Sequence, residues 1–489
     1  MFFTSSMKRV LYPLRIAVSL MIVSIVLYLF FNIWPIVYSV YVAFTDANNN
    51  NIVQSPKLLE LLKEREELVK TLESRRQEIL AFLSRVDNAS TNLERSIEEY
   101  LAYINQTSPE QISIQKLNEM INVIGSRALD LGSLISTPGY YLDRYPEIRD
   151  NASEAVSFIS KFRSDVSSIL FFKTRLTQKD LDELRNISYK YLGAALTDLS
   201  RMLSALRTLE TNYDLFVMGV TKYVDEEIDK LTLHFVGLDN FAKLFSEAVF
   251  PYGIYKTLLF VATSVPLKML LGVTLAFLFS SPLVVGRRIF RGLLIIPWAL
   301  PILLTVTTWR TLFDPKWGPF AQLFSELLGR SFTIYNSEWD AFTVYNIVEM
   351  WLAYPFIMTV TMGAIASIPQ ELIEASYIDG AGIFTRFIKI SLPLTIRPIA
   401  FAAIMTTGAS LQIFMVPLLI NGGGPATMIY FPGTKPVLGN TNDFMLLYAY
   451  RQAYYYYNYG LSAAAYLVAV LILLIYALAW YYFFYRRGR

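Results

Sequence analysis

Six stretches of this chain are long and apolar enough to cross a bilayer: 14–44, 255–278, 293–312, 342–366, 399–420 and 461–484. A spanning helix needs about 20 mostly apolar residues. Inside hydrocarbon the backbone can bond only to itself, so a spanning segment of this length is helical. The expected fold is therefore an all-α membrane protein with six transmembrane helices. Composition agrees: charged residues make up 17% of the chain, against about 25% in soluble proteins. The apolar stretch near the start is too long for a cleavable signal and lacks a small-residue cleavage site.

Lys and Arg mark cytoplasmic ends. Lys8, Arg9 and Arg15 accompany the first stretch. Arg287, Arg288 and Arg291 separate the second and third, and Arg386, Lys389 and Arg397 the fourth and fifth. Arg486, Arg487 and Arg489 close the chain. The short loops on the other side hold only Lys316, Arg330, Lys435 and Arg451. Six spans with both termini cytoplasmic satisfy this pattern, and the segment between spans one and two then faces outward. Pro35, Pro266, Pro297, Pro301, Pro355 and Pro417 lie in the spans. Each kinks a helix, as a moving pathway or ordinary packing would require.

The chain divides into residues 1–46 with the first span, an extracytoplasmic insert over 47–250, and a five-span core over 251–489. In the insert, Leu58, Leu61, Leu68, Leu72, Ile79, Phe82, Val86 and Leu93 follow a 3–4 spacing interrupted by Arg65 and Arg75. A second seam runs through Leu192, Leu199, Leu203, Leu206, Tyr213, Val220 and Val224. Such seams predict two antiparallel coiled-coil helices of about 50 residues. Pro109, Pro138-Gly139 and Pro146 break a helical tip between them. Sequons at Asn88, Asn105, Asn151 and Asn186 all fall in the insert, in keeping with an outward location. The insert either docks an external partner or serves as a spacer or cap.

Several chemistries are excluded. The chain has no cysteine, so thiol catalysis and cysteine metal sites are ruled out. One histidine, His234, leaves no metal cluster or triad to build. A net charge of +3 without a basic run gives no reason to expect nucleic acid. No G-x-x-x-x-G-K-[ST] loop occurs, so ATP and its Mg would be bound by separate subunits.

Between spans four and five, 367–397, Pro369 opens a short helix carrying Glu371 and Glu374. Ala375 and Ser376 are small enough to let another backbone approach. Asp379-Gly380-Ala381-Gly382 permits a sharp turn. A second helix then leads through Ile390 to Leu392-Pro393. The product is a helix–turn–helix shaped to be gripped.

Glu374-Ala375-Ser376, three residues, Gly380, nine residues, Ile390, one residue, Leu392-Pro393 matches the EAA coupling signature of permeases in binding-protein-dependent ABC importers. Phe235-Val236-Gly237-Leu238-Asp239-Asn240-Phe241, Gly286-Arg287-Arg288-Ile289-Phe290-Arg291, Asn421-Gly422-Gly423-Gly424-Pro425 and Trp351-Leu352-Ala353-Tyr354-Pro355 resemble the sugar branch of that family, of maltose or trehalose type. The resemblance implies a non-catalytic permease that rocks between inward- and outward-open forms. It implies a second permease, two ATPase subunits and an extracytoplasmic solute-binding protein as partners. It places a sugar between spans four and five, at Glu349, Leu352, Ala353, Phe356, Thr406, Ala409 and Ser410. Gln412, nearby on span five, is a further candidate. Carboxylates and hydroxyls suit sugar OH groups, and aromatic faces suit sugar rings. Glu349 is either an intramembrane functional residue or one at the watery outer end of its span. Tyr448, Tyr450, Tyr454, Tyr455, Tyr456, Tyr457 and Tyr459 form an interfacial belt or a stacking gate.

Two other classes compete. A secondary carrier or channel would use intramembrane charges or inverted repeats and needs no cytoplasmic dock. A receptor with a coiled-coil sensor would need a cytoplasmic output domain. Within the importer reading, a solute other than sugar stays open.

Overall fold

The computed structural model describes residues 14–482 except Gln54, Thr107, Phe172 and Pro282. Lys8, Arg9, Arg486, Arg487 and Arg489, the side chain of Arg15 and the last two residues of the sixth apolar stretch lie outside the described residues. The chain forms two compact units: residues 54–232, and the segments before and after them.

The first apolar stretch is α1 (Leu14–Tyr28), a π-helical turn (Leu29–Ile33) and α2 (Trp34–Ala43). The turn has a local cause. Pro35 would collide with the carbonyl of Phe31 in a regular helix, and a widened turn relieves this. The same device recurs at Phe387–Ser391, where Pro393 stands four residues after Lys389.

The insert comprises α3 (Pro56–Ser74), α4 (Arg76–Gln106), α5 (Ile114–Ile135), α6 (Pro146–Leu170), α7 (Gln178–Thr211) and α8 (Tyr213–Leu231). The two expected 50-residue helices are each broken, at Arg75 and Asn212. Arg75 turns aside to bond Glu78 at 2.9 Å and the Gly139 carbonyl at 3.1 Å. The expected tip is instead two full helices, so α4–α7 make a four-helix bundle and only α3 and α8 pair as a stalk. The seam residues are buried, including Leu72, Ile79, Val86, Leu192, Leu199 and Leu206. Ser55 and Thr177 cap α3 and α7 with their side chains. The sequon asparagines sit on helices rather than in loops, and the hydroxyl of Ser90 is buried against the Val86 carbonyl.

The membrane unit resumes at residue 233, so the compact insert is narrower than 47–250. Thr45 pairs with Phe235, Val236 N–H donates to the Phe44 carbonyl at 2.8 Å, and Asn240 donates to Ala43 and Thr45. The entry and exit strands of the insert are thus tied at one point. Then follow α9 (Asp239–Ser246), α10 (Val249–Ser280), α11 (Arg287–Leu294), α12 (Ile296–Ala299), α13 (Ile302–Leu312), α14 (Pro319–Leu328) and α15 (Glu338–Ala366). After them come α16 (Gln370–Ile378), α17 (Ile383–Arg386), α18 (Leu392–Leu411), α19 (Met415–Asn421), β1 (Ala426–Ile429), β2 (Val437–Asn440), α20 (Met445–Tyr454) and α21 (Tyr459–Tyr481). The two strands pair antiparallel, and α2 packs on α21.

Five helices are long and apolar enough to span, and α11–α12 with α13 makes a sixth. The third span is bent by 97° at Leu300-Pro301, a sharp form of the kink expected there, because Pro301 cannot continue the hydrogen-bond ladder. The fifth runs continuously over Ile383–Leu411 and breaks at 412–414, lower in sequence than the expected 399–420.

Helices α10 and α15 run parallel. Lys256 meets Glu338, Phe260 meets Phe342, Thr263 meets Asn346 and Lys268 meets Glu349, at nearly constant offsets of 81 to 83 residues for the hydrogen-bonded pairs. Two parallel spans need one return crossing between them, and the bent segment is the apolar stretch there. At the α10 C-terminus, Arg287 donates to the Ser280 carbonyl and Arg291 to that of Phe279. Cations suit a helix C-terminus.

Candidate functional site

Two sites stand at different depths of the membrane unit. The first is the loop 367–397. Helix α16 ends in a Schellman turn: Ala381 N–H donates to the Ser376 carbonyl at 2.9 Å and Gly380 N–H to that of Tyr377 at 3.1 Å. Gly380 has φ of +70°, a conformation that costs other L-residues about 1–2 kcal/mol. Ser376 is buried and bonds the Ile373 carbonyl, which explains a small residue there. Arg386 lies over the Tyr377 ring at 3.6 Å and holds the second arm against the first. Phe387 meets Phe277 edge-on at 4.7 Å, fixing the loop to the end of α10 that Arg287 and Arg291 cap.

Glu371, Glu374, Ala375, Asp379, Gly380 and Pro393 are exposed, while Ile390 and Leu392 are half-buried. Around them Ile378 is 87% and Phe384 81% exposed. Sequence reading missed these apolar residues as part of the surface.

The second site is polar and lies deep among α10, α15 and α18. Lys268 Nζ donates to Glu349 Oε2 at 3.0 Å and to Ser410 Oγ at 2.9 Å. The Lys268 side chain is 1% exposed, and that of Glu349 21%. Ser410 Oγ in turn donates to the Thr406 carbonyl. Glu349 stands eleven residues into α15, roughly 16 Å along it at 1.5 Å per residue, and is therefore not at the watery end of its helix. Glu349, Leu352, Ala353 and Phe356 form an i, i+3, i+4, i+7 stripe, all half-buried. Trp298 stacks on Phe356 at 6.1 Å. Thr406 is buried on the same face of α18 as Ser410.

Ala409 and Gln412 are not brought to this cluster. They line a groove of about 740 Å³ between α18 and α21, with Gly408, Leu473, Tyr476 and Trp480. Ala409 is one residue from Ser410, about 100° around the helix. Lys268 and Trp298 were missed in the sequence. Lys268 had a usable signal, an ionisable residue inside an apolar stretch.

At the end of α10 and α15 remote from the loop, Asn421 accepts from Tyr345 and donates to the Gly424 carbonyl. Gly423 has φ of +77°, and a Cβ there would meet Leu447 at 2.7 Å. Tyr448 is buried, whereas Tyr454 to Tyr457 are exposed.

The membrane unit is thus a bundle of apolar helices with a polar centre and an exposed loop at one end. Residues 268–489 match the family described as binding-protein-dependent transport system inner membrane component. The chain resembles the maltose/maltodextrin transport system permease protein MalF. It is 34% identical to that of Klebsiella aerogenes over 227 residues, 45% of this chain and 42% of the relative. It is 29% identical to that of Escherichia coli K12 over 302 residues, 60% of this chain and 57% of the relative. It is 28% identical to that of Vibrio parahaemolyticus over 344 residues, 66% of this chain and 64% of the relative. The matches thus span less than two thirds of these relatives. Among solved structures, a bacterial ABC transporter that imports the acidic polysaccharide alginate covers 61% of this chain at 20% identity and a TM-score of 0.43. A bacterial alginate ABC transporter in complex with an alginate pentasaccharide-bound periplasmic protein covers 62% at 19% identity and 0.45.

Proposed function

We propose that this chain is the membrane-spanning permease subunit of an ATP-driven, binding-protein-dependent importer of sugars or short oligosaccharides, in the cell membrane. A second permease completes the passage, two ATPase subunits bind ATP and Mg, and an extracytoplasmic solute-binding protein delivers the sugar. The loop 367–397 and both termini face the cytoplasm, and the insert faces outward. The chain itself is not an enzyme.

The observation that carries this reading is the loop. Its Gly380 turn, small Ala375 and Ser376, and exposed Ile378 and Phe384 suit a cleft on a partner. Movement of that partner reaches the spans through the Phe277–Phe387 contact and the continuous helix into α18. That helix carries Ser410, and α10 carries Lys268, so a lever at the loop bears on the polar site. The stripe from Glu349 to Phe356 is about 10 Å long at 1.5 Å per residue, room for a carboxylate contact at one end and ring stacking at the other.

The test is Gly380→Trp in the complete importer. No neighbouring atom lies within 4 Å of a Cβ at this position, so the side chain starts in open space, and the strain of the backbone is the cost within the chain. Uptake should be lost while the protein stays in the membrane. Gly380→Asn tolerates the same backbone and should keep most of the uptake. Undiminished transport with Trp, or no ATPase copurifying with the chain, would remove the assignment.

A further inference from the structure

We infer that the Lys268–Glu349 pair is a charge filter that passes uncharged, hydroxyl-rich solutes and rejects acidic sugars. This rests on the reading of the chain as a sugar permease and adds Lys268 as a specificity-determining residue.

Two Lys–Glu pairs join the same two parallel helices. In the first, Lys256 is wholly buried, 4.2 Å from the centre of Trp339 and 4.6 Å from that of Phe342. Its partner oxygen, Glu338 Oε1, also accepts from the Tyr252 hydroxyl at 2.6 Å. Glu338, 21% exposed, stands in the first turn of α15, so this pair clamps α10 to the start of α15. Twelve residues further along α10 the second pair is exposed to the same degree but lies eleven residues into α15, level with the stripe from Glu349 to Phe356. Lys268 is sealed behind Glu349, with Phe260 at 5.4 Å and Ser410 beside it. Glu349 is partly exposed, and its Oε1 accepts no hydrogen bond from the described residues.

The asymmetry decides what a solute meets. The ammonium is out of reach, and the open atom is an acceptor-only oxygen. Sugar hydroxyls donate to such an oxygen. A uronate carboxylate there faces a like charge across a few ångströms in a site with little water, which is unfavourable. The lysine keeps the pair neutral as a whole, so an uncharged solute enters without leaving a lone buried charge.

The experiment uses the complete permease–ATPase complex in lipid nanodiscs, without the binding protein, so that only the membrane path selects. Binding of a neutral maltotriose and of a linear triuronate is measured on each variant. The wild type should favour the neutral probe by at least roughly tenfold. Glu349→Gln exposes an uncompensated lysine and should erase or reverse that preference. Lys268→Met leaves the carboxylate alone and should strengthen rejection of the triuronate. The double variant Lys268→Met/Glu349→Gln removes both charges without stranding either. It should bind both probes within about threefold of each other, and it carries the test if a single variant fails to assemble. A preference unchanged in Glu349→Gln and in the double variant would overturn the filter while leaving a sugar permease. Binding of neither probe by the wild type would overturn the sugar reading itself, and the filter with it.

Discussion

The insert and the membrane unit are built from the same helices turned inside out. In the insert the buried surface is mainly apolar, Leu72, Ile97, Tyr100, Phe162 and Leu199 among it, and most charges lie outside, Asp180 and Asp198 excepted. In the membrane unit Leu270, Leu304, Leu474 and Ile475 are exposed, while Lys256, Lys268, Ser264, Thr361 and Ser410 are buried. The hydrophobic effect assembles the first. In the second, apolar contact alone gives helices little reason to associate in lipid, and polar contacts and close packing hold them together. The same kind of substitution should therefore act oppositely in the two regions.

The largest effect is expected at the Lys256–Glu338 pair. Lys256→Met strands Glu338 beside α10 and should cost about 3–5 kcal/mol, seen as a large fall in the unfolding midpoint of the purified protein. Adding Glu338→Gln should restore most of it. A single variant as stable as the wild type would show that polar pairs do not organise this bundle.

Next comes a matched pair of leucines. Leu199 is wholly buried in the insert and Leu474 is 51% exposed on α21. Leu199→Ala should cost about 2–5 kcal/mol and open the insert to protease, whereas Leu474→Ala should stay within about 0.5 kcal/mol. Equal losses at both would break the contrast between the regions.

The contrast also explains what the sequence made legible. The span positions follow from length and apolarity, and the loop motif from its spacing. The insert seams were visible because each is an amphipathic stripe, yet both helices were read as unbroken. The pattern is interrupted at Arg75 as it is at Arg65, and what makes Arg75 the turning point is its bond to the carbonyl of Gly139, 64 residues away. Span three was read with kinks at Pro297 and Pro301, but not with a bend as sharp as 97°, because length and apolarity are insensitive to direction. The site was half legible: Glu349 and Ser410 came from a resemblance, but Lys268 pairs with a residue 81 positions away. Ala409 came from the same resemblance and Gln412 from nearness in sequence, and neither shares the face of α18 that carries Ser410.

The smallest effect is one of pH, and it belongs to the insert alone. Glu78 is held down to about 2, from an ordinary 4.5, by its hydrogen bond to Arg75 and then by the Tyr140 hydroxyl. A carboxylate with a lowered value contributes stability above its unfolded value and loses it as pH falls through the folded one. The window therefore runs from about 4.5 down to about 2. What it holds is specific: Arg75 also bonds Gly139, and Tyr140 stacks on Phe82 at 3.8 Å. Amide exchange at residues 137–141, corrected for intrinsic rates, should accelerate across that window, and Glu78→Gln should show the faster rate already at pH 6. Because the carboxylate is exposed to solvent, the change should be confined to this loop while the bundle core keeps its protection. Acceleration spread over the whole of α4 would mean that the junction at Arg75 bears on the stability of the entire insert.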